Sequence, residues 1–396
     1  MLLFPVETAN RELISKFFLS CKFAEAGYKS YIGEKGEIWN SISHLEKPIY
    51  FDKGYHRGRS ELIYEKVRNQ EGKIISLDDE NGILEKDMST LDHRFPNEVF
   101  EIFDLIFLWG PAQLEYLEKT RSKFGLTKVF ATGHPKFELL KTRYHNLYKN
   151  KAALLKKKYG NYILVNTQFG FGNNVRDKDS VINSYESRLP HTRELIEYEK
   201  KQIKHFVKLI IELNKKTNYN IIVRPHPEEN FSYYTKKFKN YEKIFVKSDD
   251  TVLPWIISSD FMLHHSCTTA LEAVMLGKNP LSFAFQYDSD LIPWLPLKLG
   301  EVFDDIPNII DYISTKSNKK ASSSNNLLED YFSFSNNSTQ DIINQTKTNF
   351  PPFWRTKRLR RMAYIIKSNL KIRSKSFVRN NITEYGRDML FYNKTK

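Results

Sequence analysis

Short apolar runs alternate with amphipathic stretches twice over in this chain, and that alternation narrows the possible folds more than any other feature. In the first half the spacing predicts strands at 2–6, 30–32, 48–52, 73–77, 105–109 and 128–132, with helices near 9–26, 59–70, 97–103 and 112–120. Strands joined through helices of this length form crossover units and a mainly parallel sheet. The second half repeats the pattern. Strands are expected at 162–166, 220–224, 243–246, 261–265 and 280–283, and helices at 191–216, 233–238, 251–258 and 268–276. A chain of 396 residues has room for two such cores. The expectation is therefore an α/β protein of two Rossmann-like domains facing a central cleft, where open sheets bind ligands at their strand ends. Residues 1–145 would form the first domain, 146–350 the second and 351–396 a basic helical tail. The stretch 144–159 would link the halves, and 316–337, rich in Ser, Asn and Lys, reads as a surface loop.

The net charge of +14 looks like a nucleic-acid signal until it is mapped. From 351 to 396 there are 13 Lys and Arg against Glu384 and Asp388, so the tail carries +11 and the body is nearly neutral. No recognition motif supports nucleic-acid binding. In the tail, Leu359, Met362 and Ile366 share a helical face flanked by arginines, which suits an anionic membrane surface. Cys21 and Cys267 cannot make a disulfide framework, no apolar run is long enough to span a bilayer, and the N-terminus reads without a signal peptide. These features predict a cytoplasmic protein, peripheral at most.

Four stretches carry candidate chemistry. In Arg224-Pro225-His226-Pro227-Glu228-Glu229 an apolar strand ends in a basic residue, and two prolines bracket a histidine. Proline restricts itself and the residue before it, so His226 is held stiffly at a strand's end, where it and Arg224 can donate to phosphate or carboxylate. A plain capping histidine is the alternative. In His264-His265-Ser266-Cys267-Thr268-Thr269, followed by Glu272, a buried strand gives way to hydroxyls and a helix start. That pattern fits an anion site, with Glu272 accepting from ribose hydroxyls, and it also fits ordinary N-capping. Asn166 to Asn174 holds Gly170 and Gly172, which let backbone approach a ligand or simply make a loop. Asp78-Asp79-Glu80 follows a strand and offers a general base or an acidic turn. Asp288-Ser289-Asp290 reads as a chance D-x-D, adjacent His264 and His265 are a poor metal pair, and no P-loop is present, so neither a metal site nor a cofactor is expected.

These residues resemble GT-B glycosyltransferases of bacterial surface-carbohydrate synthesis. The likeness is greatest to those using CMP-activated ulosonic or nonulosonic acids, such as Kdo-, sialyl- and pseudaminyl-type transferases. It rests on Arg224-Pro225-His226-Pro227 and on His265 through Ala273, with support from Pro5-Val6-Glu7, Arg11-Glu12-Leu13, Asp52-Lys53 and Thr132-Gly133-His134-Pro135-Lys136-Phe137. The resemblance implies that His226-Pro227 and Ser266, Thr268 and Thr269 contact the CMP phosphate. It maps the catalytic base onto Asp78, Asp79 or Glu80, with Asn81 separating them from Gly82. Asn166, Gly170, Gly172, Arg224, His265 and Glu272 would line the donor, and Arg11, Lys53 and Lys136 would bind its carboxylate or the acceptor. Partners would be the nucleotide sugar, a glycan or lipid-linked glycan acceptor, and the inner membrane surface through the tail. The likeness extends more weakly to CDP-glycerol glycerophosphotransferases. A non-catalytic glycan- or nucleotide-binding assembly protein is a rival of another class.

Overall fold

The computed structural model describes residues 1–79, 87–121, 123–186, 189, 191–249, 251–288, 291–315 and 325–352. They form two compact units, one from residues 1–79, 87–141 and 325–352 and the other from 142–315. The first contains β1 (Leu2–Val6), β2 (Ser30–Glu34), β3 (Ile49–Asp52), β4 (Lys73–Leu77), β5 (Leu105–Phe107) and β6 (Lys128–Phe130) in the order β2-β1-β3-β4-β5-β6. The second contains β7 (Tyr162–Asn166), β8 (Asn220–Arg224), β9 (Ile244–Val246), β10 (Phe261–His264), β11 (Pro280–Phe283) and β12 (Glu301–Phe303) in the order β12-β11-β10-β7-β8-β9. Every pairing in both sheets is parallel. Two doubly wound α/β units are the fold class the sequence predicts.

The apolar spacing accounts for the packing. The helix Thr192–Lys216 turns Ile196, Ile203, Phe206, Leu209, Ile210 and Leu213 inward at three- and four-residue intervals. Most of these residues join Ile163, Val165, Ile221, Val223 and Leu263 in one core, each large side chain contributing about 1.5–3 kcal/mol on burial. Strand order reverses once in each sheet, between β1 and β3 and between β7 and β10.

The end of the second domain is corrected by the structure. Residues 325–350, expected in that domain, belong to the first unit. The helix Ser338–Asn349 places Ile342 and Ile343 in the core with Phe4, Phe23 and Phe51, and Tyr28 donates to the Phe350 carbonyl at 2.7 Å. The expected loop 316–337 also holds a helix, Asn325–Phe332. A polar composition concealed these elements because only a few large apolar residues anchor them. The edge strand β12, three residues and mostly exposed, shows no period to read. Glu80 and the tail from 353 to 396 lie outside the described residues.

Candidate functional site

In the second unit, β7 and β10 run in full register at the reversal, with Asn166 directly opposite His264. Each of these side chains reaches into the turn that follows β10. Asn166 Nδ2 donates to Thr269 Oγ1 at 2.9 Å, and His264 Nδ1 accepts from the Cys267 N–H at 3.3 Å. Ser266 there has a φ of 47°, a left-handed conformation that is costly for a residue with a Cβ. Its hydroxyl donates to the Pro293 carbonyl at 2.6 Å, and Thr269 donates to Cys267 Sγ at 3.1 Å. Thr268 is exposed and makes no side-chain cap bond, so N-capping does not explain the run of hydroxyls. Glu272 lies half-buried in the first turn of the helix Thr269–Met275. Burial raises the Cys267 thiol pKa, which agrees with a packing role.

The turn after β8 and the loop after β7 form one body. Val175 N–H donates to the Glu228 carbonyl at 2.9 Å, and Asn230 N–H to the Asn173 carbonyl at 2.7 Å. The turn thereby pairs with the glycine loop, bringing Gly170 beside His226. A Cβ on Gly170 would lie 3.6 Å from His226 Nδ1 and 3.5 Å from Glu228 Oε2, ordinary contact. At Gly172 the close neighbour is a helix. A Cβ there would lie 2.6 Å from Glu199 Cβ, so its close approach is to the helix Thr192–Lys216. Glu199 Oε2 accepts from the Phe171 and Gly172 N–H groups, both at 2.8 Å, and burial raises its carboxyl to about 8 against those two donors.

Two further residues of this unit are held by their own neighbours. His265, expected to line the donor, is 1% exposed; its ring stacks on Phe169 at 5.1 Å and its Nδ1 donates to the Phe283 carbonyl at 3.0 Å. Burial lowers its pKa to about 4, so it stays neutral. The Arg224 guanidinium lies over Trp255 and donates to the Asp249 carbonyl at 2.7 Å.

In the first unit, the strands at the reversal part early. β1 pairs with β3 only at Leu2 and Leu3, and Lys16 reaches the Pro5 carbonyl beyond that point. The Lys16 ammonium also meets Glu12 and Asp79, each at 2.8 Å. Lys53, expected to bind a carboxylate ligand, is instead buried against Glu12 at 2.6 Å and Glu7 at 2.9 Å. Asp78 is 1% exposed and gripped by both ends of the Arg94 guanidinium. That contact needs Gly54, where a Cβ would overlap the guanidinium. Burial alone would raise the Asp79 carboxyl, but Lys16, His134 and Lys136 hold it well below the usual carboxylate range. His134 Nδ1 accepts from the Lys136 N–H at 3.1 Å, leaving Nε2 facing Asp79 Oδ1 at 3.4 Å. Lys136 donates to the Asp79 carbonyl at 2.5 Å and lies 3.8 Å from the centre of the Trp109 ring. Arg11 is exposed on the helix Ala9–Glu25. Lys16, Asp79, His134 and Lys53 line a cavity of about 10 Å³, near the room one water needs.

Four residues organise these ends: Glu199 and Lys16, which no motif marks, and Glu229 and Glu12, which lie in the quoted motifs without a role of their own. The only signal for Glu229 was an acid three residues beyond His226, the spacing at which a side chain reaches back to a turn's first N–H.

No family model matches the chain, and no curated protein matches it. Solved structures do. The chain is similar to a UDP-GlcNAc 2-epimerase from Methanocaldococcus jannaschii, at 11% identity and a TM-score of 0.55, over 88% of this chain and 99% of that one. It is similar to the wall teichoic acid polymerase TagF, solved after a soak with CDPG, at 10% identity and a TM-score of 0.53, over 88% of each chain. A second UDP-N-acetylglucosamine 2-epimerase gives 12% identity and 0.54, over 90% and 98%. At these identities the likeness establishes the fold. It is GT-B, two Rossmann-like α/β units of six parallel strands each.

Proposed function

We propose that this chain is a glycosyltransferase that moves an acidic sugar from a CMP-activated donor to a hydroxyl of a bacterial surface glycan, with no further cofactor. One observation carries the reading. The ends of β7, β8 and β10 gather the glycine loop, the His226 turn and the Ser266–Thr269 turn at a strand-order reversal, the place where open α/β sheets bind nucleotides. On this reading His226 and exposed Thr268 stabilise charge on the departing phosphate, and Glu272 accepts from the ribose. Asp78 and Asp79 are engaged in ion pairs, and a carboxylate held below the usual range is a weak base. The base that deprotonates the acceptor hydroxyl belongs to the run Asp78, Asp79 and Glu80, and these ion pairs weigh against the first two.

Likeness to TagF favours a second reading, transfer of a phosphate-linked polyol from a CDP donor. Likeness to the epimerases raises a third, in which the ligand is a UDP-sugar. Thermal shift with CMP, CDP, UMP and UDP separates them. CMP is the nucleotide released in both of the first two readings, so stabilisation by CMP supports a cytidine donor. Stabilisation by CDP well beyond CMP favours the second reading, whose donor carries both phosphates, and stabilisation by UDP alone overturns both.

No helix among the described residues is long and apolar enough to cross a membrane. We place the chain in the cytoplasm, tethered to the inner membrane face by the basic tail, each Lys or Arg near an anionic surface adding about 1 kcal/mol. Co-sedimentation with anionic vesicles should fall with salt and on removal of residues 367–396. Equal recovery for both chains would exclude that distal stretch.

A further inference from the structure

Glu229 is 3% exposed, yet it is not apolar packing. Its Oε1 accepts from the Thr167 hydroxyl at 2.6 Å and from the His226 N–H at 2.9 Å, and its Oε2 accepts from the buried Tyr234 hydroxyl. One carboxylate therefore ties together the loop after β7, the turn after β8 and the helix Phe231–Phe238. The turn is closed in the other direction as well, because Glu229 N–H donates to the His226 carbonyl at 2.9 Å. Burying a carboxylate is costly unless donors surround it, and here they come from three separate elements.

The turn that Glu229 closes displays the Glu228 N–H toward His226 Nδ1, at 3.3 Å. A backbone N–H can only donate, so Nδ1 is the acceptor and the ring proton of the neutral imidazole sits on Nε2. The prolines at 225 and 227 stiffen the backbone but cannot choose between ring tautomers or set the turn against the loop 167–175. We propose that Glu229 is the positioning residue of this site. It holds loop and turn in one register and, through the turn, fixes the tautomer and aim of His226. The proposal rests on reading His226 as a ligand-binding group.

The test uses the full chain labelled with ¹⁵N-histidine. In the unsubstituted protein, His226 should show a non-protonated Nδ1 and a protonated Nε2. Glu229→Gln places an N–H₂ group against donors, so the His226 signals should move toward a mixture of tautomers and CMP affinity should fall at least about tenfold. Tyr234→Phe and Thr167→Val each remove one donor and keep the carboxylate, and should give smaller changes of the same sign if the first variant does not fold. Lost thermal stability with an unchanged tautomer and unchanged CMP affinity would overturn the proposal. A tautomer shift in a protein that binds none of CMP, CDP, UMP or UDP would uphold the positioning role and overturn the donor-site reading instead.

Discussion

Each unit carries a His-Pro turn just beyond a strand, and the two are built alike but used differently. His134, after β6, and His226, after β8, both accept the N–H of the residue two positions on, at 3.1 and 3.3 Å. His134 is then 2% exposed and faces the buried carboxylate of Asp79. His226 is half-buried beside Gly170, in a turn closed by Glu229. The same local chemistry thus supplies a buried strut in one unit and a candidate ligand group in the other. The surroundings decide which. Around His134 the strand ends are filled by Lys16, Glu12, Lys53 and Asp79, whereas around His226 they are tied by hydrogen bonds to loops.

The largest effect should expose that contrast. Lys16→Met leaves Asp79 and Glu12 buried without their shared cation, an error that typically costs 3–5 kcal/mol. Melting should fall by on the order of 10 °C. Arg224→Met, at a strand end of the second unit, should cost less, about 1 kcal/mol, because the guanidinium is part-exposed there and lies over a ring face rather than between buried carboxylates. Comparable losses in chemical denaturation would mean that the two units are not organised differently.

Next come the histidines themselves. His134→Ala should destabilise by about 1–3 kcal/mol, since it strips a donor from a buried carboxylate, and should leave nucleotide binding alone. His226→Ala should do the reverse, weakening CMP binding by about 1.5–3 kcal/mol with little change in stability. If both variants lose stability and keep CMP affinity, the second turn is a strut too.

A pH series sharpens the comparison from the glycine loop's side. The folded Glu199 carboxyl titrates at about 8, against about 4.3 when unfolded. Between those values the folded state keeps a proton that the unfolded state has lost, so the stabilisation is complete below pH 4 and is lost as pH rises toward 8. Glu199→Gln should flatten the fall in melting temperature between pH 5 and 8. Parallel wild-type and variant curves would show that Glu199 does not titrate in this window.

Much of this was legible in the sequence, and the losses have physical causes. Eleven of the twelve strands stand out because their cores are short apolar runs between helices, and β12 fails that test. The His226 and Ser266–Thr269 turns were marked by proline and by hydroxyls after a strand. What could not be read was the use of charge. Lys53 and Asp78 look like ligand groups when read along the chain, but their partners Glu12 and Arg94 are 41 and 16 residues away. Pairing at that range depends on which strands become neighbours. The two glycines after β7 were equally ambiguous, because a missing side chain does not say what approaches it.

Those glycines offer the smallest and most specific test. Gly172→Ala would push a methyl to 2.6 Å from Glu199 Cβ and 2.7 Å from Lys200 N, so the loop must shift. Overpacking of this kind costs about 1–3 kcal/mol. At Gly170 the nearest atoms a methyl would meet belong to Glu228 and His226, at 3.5 Å and beyond, and stability should change by about 0.5 kcal/mol or less. That methyl would nevertheless stand beside the imidazole assigned to the ligand phosphate. CMP affinity should therefore drop several-fold in Gly170→Ala while its denaturation midpoint stays put, and in Gly172→Ala the midpoint should move first. A Gly170→Ala protein that binds CMP as tightly as the parent would place the ligand away from this loop and leave Glu229 holding a turn with another purpose.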